Sequence, residues 1–351
     1  MKITHIHIER FRGFQNEDFE VGSLLTAIAG QNGTQKSTLL GIITQTFTLK
    51  TEDSMRVEKP LCGGSYISAF KDKFRLSPTF DKPKGHEWTI SFDAGMDDFT
   101  VESIKRTGDP NVRFWKKGAR QEGDGYISFP TIFLSLKRLV PVAEEAKIIT
   151  DDTLLTQEEL NEFKQLHNKI LIAQTPISSA TTITSKNKQS IGVSTELYDW
   201  NQNSMGQDNL GKIILALFSF KRLHDKYPRQ YKGGILAIDE MDATMYPASQ
   251  VELLKVLRKY ASKLNLQILF TTHSMSLLKA MDDLVQEVTK KEETANQAKI
   301  LYLKKVDDKI AIKQGVNFKG IQLDLNVVAE GNNRKKIELQ HIRKTRKISY
   351  L

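Results

Sequence analysis

The chain opens on isoleucines that mark a first strand, Ile3, Ile6 and Ile8, with Ile6 and Ile8 at the period-two spacing of a half-buried β-strand. Leu24-Leu25-Thr26-Ala27-Ile28-Ala29 is a short, continuous apolar run, as expected of a strand buried on both faces. It leads directly into Gly30, and Ser37 to Phe47 then reads as a helix. Residues 1–49 therefore predict strand, turn, strand, Gly-rich loop, helix. Over residues 85–140, Trp88, Ile90 and Phe92 alternate, as do Phe99 and Val101, and Gly108-Asp109-Pro110-Asn111 and Gly123-Asp124-Gly125 are turn signals. This predicts an antiparallel β lobe, with Thr131-Ile132-Phe133-Leu134-Ser135-Leu136 as a more buried strand within it. Over 156–174 the period is helical. Thr156 and Glu159 form a capping box, Leu160, Phe163, Leu166, Ile170 and Leu171 share one face, and Pro176 ends the run. The Ser/Thr/Lys-rich stretch that follows, to about Thr195, reads as an exposed loop or hairpin. Residues 208–305 alternate helix and strand. Gly234 to Asp239 and Gln267 to Thr272 are apolar runs of the parallel, doubly covered kind, and Ile300 to Gln314 reads as a hairpin about Asp307-Asp308. The sequence carries no sustained heptads and no internal repeat.

Composition narrows the class. Hydrophobic and charged residues make up 39% and 26% of the 351 positions, which excludes disorder as a description of the whole chain. No stretch reaches the roughly 18 apolar residues of a membrane span, and the N-terminus lacks a signal-peptide core. The single cysteine, Cys62, excludes an internal disulfide and a Cys-rich zinc site. A cytoplasmic location without membrane contact is the expectation. The net charge of +9 and a tail, Arg334 to Leu351, rich in Lys and Arg with Glu338 as its one acid, permit contact with a polyanion such as DNA. His5 and His7 share a strand face and offer two metal ligands at most, so a packed or exposed strand face is the preferred reading.

Candidate chemistry begins at Gly30-Gln31-Asn32-Gly33-Thr34-Gln35-Lys36-Ser37-Thr38, between a strand and a helix. That is the context of a phosphate-binding P-loop, whose N–H groups and helix N-terminus attract phosphate oxygens. Lys36 would reach the β/γ-phosphates and Ser37 would bind Mg²⁺. Gln35 stands where such loops usually carry Gly, placing a side chain in a crowded position. The strand Ile235-Leu236-Ala237-Ile238 ends in Asp239-Glu240. Asp239 would bind Mg²⁺ and Glu240 would act as general base on the attacking water, both in the crevice at the strand's C-terminal end.

Asn203-Ser204-Met205-Gly206-Gln207 precedes a predicted helix, Asp208 to Leu223, with Leu210, Ile213, Ile214, Leu217 and Phe218 at helical spacing. It resembles the signature of the ATP-binding-cassette (ABC) superfamily, Leu-Ser-Gly-Gly-Gln, matching at Ser204, Gly206 and Gln207 and departing at Met205. Met241-Asp242-Ala243-Thr244-Met245-Tyr246-Pro247 resembles the family's D-loop, with Asp242 its acid. Thr271-Thr272-His273-Ser274 resembles its switch, with His273 as donor to the γ-phosphate. Arg10-Phe11-Arg12-Gly13-Phe14 is similar to the start of RecF-, SMC- and OLD-type ATPases, where a basic residue, here Arg12, lies near the nucleotide. Phe133 to Pro141 resembles a segment of OLD-like defence ATPases; Arg138 within it has no assigned role. Gln45 lies too close to the P-loop to be the family's Q-loop glutamine.

The resemblance implies an α/β fold: an ABC-ATPase head (P-loop NTPase) with a mixed/parallel core sheet, an antiparallel β lobe and a short helical insertion. It would form a single domain over 1–330, with the lobe at 85–140 and the helical insertion and loop at 142–200, followed by a basic tail at 331–351. It implies ATP and Mg²⁺ as cofactors and hydrolysis slowed by Gln35. Ser204, Gly206 and Gln207 would act in trans, closing over ATP held by a second copy, so that a homodimer or larger homo-oligomer forms through ATP-bound heads. Val327-Val328-Ala329-Glu330-Gly331 only faintly resembles a Toprim start and too little sequence follows it, so no nuclease is expected in this chain. The leading expectation is a sensor-regulator of a separately encoded nuclease or toxin, similar to the ATPase components of anti-phage systems such as Septu and PARIS. A RecF-like repair ATPase on duplex DNA is one alternative. An ATP-bound, non-hydrolysing scaffold, motivated by Gln35, is another.

Overall fold

The computed structural model describes residues 1–67, 73–93, 95–105, 112–118, 124–139, 148–151, 154–173, 175–184 and 189–329. The turn at 108–111, Gly123, Pro141, Glu330 and the basic tail lie outside the described residues. The chain divides into two compact units, Met1–Gln314 and Gly315–Leu351. The second unit contains one described helix, Phe318–Ala329.

The core of the first unit is a six-stranded sheet. Strand β3 (Leu25–Gly30) is flanked in parallel by β14 (Leu266–Thr272) and β15 (Ala298–Val306). Strand β13 (Gly234–Ile238) pairs in parallel with β14, and β9 (Thr131–Leu134) with β13. Strand β16 (Lys309–Lys313) closes one edge antiparallel to β15 through the expected turn at Asp307-Asp308. Every residue of β3, β13 and β14 is buried, which is why these strands read as continuous apolar runs rather than alternation.

The second sheet is antiparallel. The N-terminal hairpin β1 (Ile3–Phe11) and β2 (Phe14–Glu20) is extended by β5 (Glu87–Phe92), β6 (Phe99–Lys105) and β7 (Val112–Lys116), in the order β2-β1-β5-β6-β7. The expected lobe therefore forms, but it is continuous with the N-terminal strands, and Thr131–Leu134 is not part of it. That short run, without alternation, pairs in parallel with β13 at the edge of the core sheet. Helix α1 (Lys36–Thr44) has Leu39, Leu40, Ile42 and Ile43 fully buried in one apolar cluster with residues of both sheets, as a helix apolar on all sides must be. Phe11 anchors the lobe, its ring meeting Phe74, His86, Trp88 and Phe114 at 4.6–5.7 Å.

Helix α2 (Gln157–Leu171) starts at the expected capping box, Thr156 with Glu159. It ends before Pro176, because Ile172 turns left-handed (φ 53°) and caps it. The Ser/Thr-rich stretch forms β11 (Ser179–Thr184) and β12 (Gln189–Ser194) of a small antiparallel sheet with β10 (Ile149–Asp151). Ser190 to Val193 are buried rather than exposed. Helix α3 (Met205–Lys226) begins ahead of the expected Asp208, since Ser204 and Gln207 cap it reciprocally. Helix α4 (Pro247–Lys263) starts on Pro247, suited to a first helical position, and α5 (Met275–Val288) follows β14. Among the described residues no helix is long and apolar enough to cross a membrane.

One buried amide joins the two sheets. Gln267, 1% exposed in β14, accepts from the Ile3 N–H (2.7 Å) and donates to the carbonyls of Ile3 (2.8 Å) and Gly22 (3.1 Å). Gln267→Leu would leave these backbone groups unpaired, at about 1–3 kcal/mol for each buried group. The urea midpoint of the variant should fall while its circular dichroism stays native; an unchanged midpoint would show that the sheets do not depend on this bond.

Candidate functional site

The loop between β3 and α1 is shaped by three residues of positive φ. Gly30 (φ 150°) passes so close to β15 that a Cβ would lie 2.5 Å from the Leu303 carbonyl oxygen. Gly33 (φ 80°) faces open space. Gln35 (φ 63°, ψ 32°) is left-handed at the N-cap of α1, a conformation costing about 1–2 kcal/mol for a residue with a Cβ. This is the physical reason glycine suits that position. The Gln35 side chain leaves the loop and lies on Gly13, whose N–H donates to Oε1 at 3.4 Å. The expected crowding at Gln35 is thus expressed as backbone strain and a contact with Gly13, not as a side chain in the cradle. Asn32 is exposed and Thr34 buried, its hydroxyl donating to the Gln31 carbonyl (2.8 Å).

Lys36 curls over this loop, Nζ donating to the carbonyls of Gly30 (3.0 Å) and Gln31 (2.9 Å). Burial lowers its pKa below the usual lysine value, against the opposing pull of Glu240, Asp239 and Asp242. Ser37, in the first turn, donates from its hydroxyl to Asp239 Oδ1 (2.9 Å). The same oxygen accepts the Thr271 hydroxyl at 2.7 Å, and Thr271 Oγ1 in turn accepts the Glu240 N–H at 2.6 Å. Three adjacent strands thereby converge on one carboxylate. Glu240 sits at φ 50°, a left-handed backbone rare for a residue with a side chain. His273 follows the end of β14, its N–H facing the Asp242 carboxylate (3.4 Å to both oxygens). Partial desolvation of its ring and the Lys36 ammonium lower the imidazole pKa below 6.5, outweighing Asp242, Glu240 and Asp239.

Arg12 (φ 51°) is brought to the first turn of α1, Nη1 donating to Thr38 Oγ1 at 3.3 Å. It is held there by a two-pronged pair with Asp81 (3.0 Å and 3.0 Å) and by the Arg75 carbonyl (2.8 Å). Asp81 also accepts from the Ser77 N–H (2.7 Å) and meets His86 Nε2 (3.0 Å). Ser204, Gly206 and Gln207 stand at the N-terminus of α3. The Ser204 N–H donates to Gln207 Oε1 (2.8 Å), and Gln207 Nε2 donates to the Tyr198 hydroxyl (2.7 Å). Gly206 is required by packing, since a Cβ there would lie 2.5 Å from the Thr244 carbonyl oxygen.

The Ser37 hydroxyl and Asp239 carboxylate offer hard oxygen donors side by side, a donor set that fits Mg²⁺, which takes few protein ligands and keeps water and phosphate. Ser37 and Asp239 would hold the ion beside the loop. His5 and His7 instead meet acids: His7 reaches Asp18 (3.0 Å) and Glu9 (3.4 Å), and His5 reaches Asp18 (3.2 Å). Among the described residues no group of three or more His, Cys, Asp or Glu could hold a metal. Sequence reasoning missed Thr271, Asn209, Asp81 and the place of Arg138. Thr271 was discoverable as a hydroxyl at the end of the strand beside Asp239; the others are joined across long stretches of chain.

Burial would raise the Asp81 pKa, but the Arg12 pair, the Ser77 N–H and His86 outweigh it and hold the carboxyl at about 2, below its ordinary 3.8. A depressed acid stabilises fully above its unfolded value, and the gain is lost as pH falls from 3.8 towards 2. Asp81→Asn should lower the stability at pH 7 by about 1.5–3 kcal/mol, the range for hydrogen bonds to charged groups. The gap between its urea midpoint and that of the unmodified chain should narrow at pH 3; a pH-independent gap would contradict this role.

Residues 135–278 match the family described as AAA ATPase domain, a segment that includes Arg138, Ser204, Gly206, Asp239, Glu240 and His273. No curated protein matches the chain. Among solved structures, an SMC head bound to the C-winged helix domain of ScpA is 14% identical, with 92% of this chain and 100% of that chain covered and a TM-score of 0.50. The SMC head domain from Thermotoga maritima is 14% identical, with 90% and 100% covered and a TM-score of 0.48. An SMC head with an extended coiled coil from Pyrococcus furiosus, bound to the C-terminal domain of ScpA, is 13% identical, with 93% and 99% covered and a TM-score of 0.48. The chain shares the fold of the SMC head domain.

Proposed function

We propose that this chain hydrolyses ATP in a site completed by a second copy of itself, and that it uses the cycle to control a separate effector, a nuclease or toxin, in defence against phage. The observation that carries the ATPase reading is the bonded series Ser37–Asp239–Thr271–Glu240 at the N-terminus of α1. The N–H groups of residues 33–38, Lys36 and Arg12 would hold the phosphates. Ser37 and Asp239 would hold Mg²⁺, which supplies charge neutralisation at the phosphates when bound. Glu240 would take the proton of the attacking water, and His273 would donate to the γ-phosphate. Ser204 and Met205 are exposed at the start of α3, so the anion-attracting end of that helix is available to a nucleotide on another copy. The γ-phosphate would then link two chains, and its removal would release them. A solved SMC head of this fold binds a second protein, a domain of ScpA, which supports a protein partner here. The defence role rests on the resemblance of Phe133 to Pro141 to OLD-like ATPases.

Gln35 favours the scaffold reading less than it first suggests, because its side chain lies on Gly13 and leaves the loop open, and Glu240 and His273 argue for hydrolysis. The net charge of +9 supports the DNA reading to the extent that binding should weaken linearly in log–log salt plots.

Lys36→Ala should abolish nucleotide binding. Glu240→Gln should retain it and slow hydrolysis by about 10²–10⁴-fold, the usual range for general-base catalysis. Ser204→Arg should bind ATP but fail to hydrolyse it; hydrolysis at the ordinary rate would show that the site is complete in one chain. Co-expression with the product of a neighbouring gene should give toxicity that depends on Lys36, and its absence in every such pairing would overturn the effector reading.

A further inference from the structure

Arg138 lies just beyond β9, in the single-turn helix Leu136–Leu139, and is 3% exposed. Its guanidinium bonds to neutral oxygens. Nη1 donates to the carbonyls of Leu134 (3.2 Å) and Ser135 (3.1 Å), Nη2 to the carbonyl of Glu240 (2.8 Å), and Nε to Asn209 Oδ1 (2.6 Å). A buried cation is costly unless its donors are met. Burial lowers this one to about 10, with Asp239, Glu240 and Asp242 acting in the opposite sense, so it keeps its charge at neutral pH.

Asn209 completes the bridge. It is 0% exposed on α3, a little over one turn beyond the signature serine. Its Nδ2 donates to the carbonyl of Ala243 at 2.9 Å. One amide thus joins the signature helix to Arg138 on one side and to the loop after Glu240 on the other. Gly206 touches that loop independently, at the Thr244 carbonyl. Between these fixed points the backbone is left-handed at Glu240 (φ 50°) and Thr244 (φ 67°). Residues with side chains stay in that region only where their surroundings over-determine them, and here the surroundings include α3, which reaches Glu240 through Asn209 and Arg138 and Thr244 through Gly206, beside the Thr271 hydroxyl on β14.

We propose that Arg138 and Asn209 are positioning residues that couple the two nucleotide sites: the seating of α3 on a second copy's nucleotide sets, through this bridge, the backbone of Glu240 in the chain's own site. The proposal rests on the two-copy ATPase reading. Its consequence is that hydrolysis at each site depends on closure at the other, and such coupling is reciprocal for binding. Arg138→Lys is not conservative here, because an ammonium cannot span Asn209, Leu134 and Glu240 as a planar fork does.

The test compares the full chain with Glu240→Gln, Asn209→Ala, Asn209→Asp and Arg138→Lys. Three quantities are read: hydrolysis rate against ATP concentration, binding of a fluorescent ATP analogue, and the thermal midpoint. Asn209→Asp keeps an acceptor for Arg138 but loses the donor to Ala243, so it separates folding from coupling. The unmodified chain should respond sigmoidally to ATP. The Asn209 and Arg138 variants should bind the analogue within about threefold of it, yet lose about tenfold or more in kcat and respond hyperbolically, within the 5–150-fold range of known couplings. Unchanged kcat and sigmoidicity in Asn209→Asp and Asn209→Ala would overturn the proposal. So would a loss of rate matched by losses of affinity and thermal midpoint with sigmoidicity kept, the signature of a structural role alone. If the unmodified chain does not hydrolyse ATP, or Glu240→Gln hydrolyses it equally fast, the ATPase reading itself fails and this proposal with it.

Discussion

The carboxylate of Asp239 is the point on which the site depends. One of its oxygens receives the hydroxyls of Ser37 and Thr271 at 2.9 and 2.7 Å, from the first turn of α1, the helix that follows β3, and from β14. Such convergence is possible only because β3, β14 and β13 are adjacent and parallel, which brings their C-terminal ends to one crevice. Gln267 and the residues packed around α1 tie the antiparallel lobe to that sheet, and the lobe in turn carries Arg12 to Thr38. The alignment of Ser37, Asp239 and Glu240 therefore follows from strand order, not from any loop acting alone.

Strain collects around the same point. Of the nine non-glycine residues of positive φ among those described, four, Arg12, Gln35, Glu240 and Thr244, lie in or beside the loop between β3 and α1 or the acidic strand end. Local strain of this kind is found where a site needs a fixed, sparsely populated geometry. The supporting contacts are particular: Asp81 for Arg12, Gly13 for Gln35, Thr271 and Arg138 for Glu240, and Gly206 for Thr244. The unusual Gln35 thus has a local account, in which a hydrogen bond to Gly13 accompanies the left-handed turn.

The sequence revealed most where chemistry and periodicity were local. The apolar runs ending at Ala29, Ile238 and Thr272 were legible as buried parallel strands because strands covered on both faces show no alternation. The glycine-rich turn before α1, the acidic pair and the capping box of Thr156 with Glu159 each lie within a few residues and were read directly, whereas the reciprocal cap of Ser204 with Gln207 was passed over and the start of α3 placed late. Thr131–Leu134 was assigned to the wrong sheet, since a four-residue apolar run carries no record of its neighbour. Gln35 was read as crowding because a residue name does not disclose its φ. Arg138 had no role because its partners, Asn209 and Glu240, lie 71 and 102 positions away, and only the fold brings them together.

Closure of two copies over ATP is tested most directly by the solution mass of Glu240→Gln, which should retain nucleotide, measured with and without ATP and Mg²⁺. Engagement through Ser204 and Gly206 requires a chain that doubles in mass when ATP and Mg²⁺ are added and does not when Ser204→Arg is introduced as well. A mass unchanged by ATP, with nucleotide bound, would contradict the composite site and leave the signature helix without a partner's phosphate to meet.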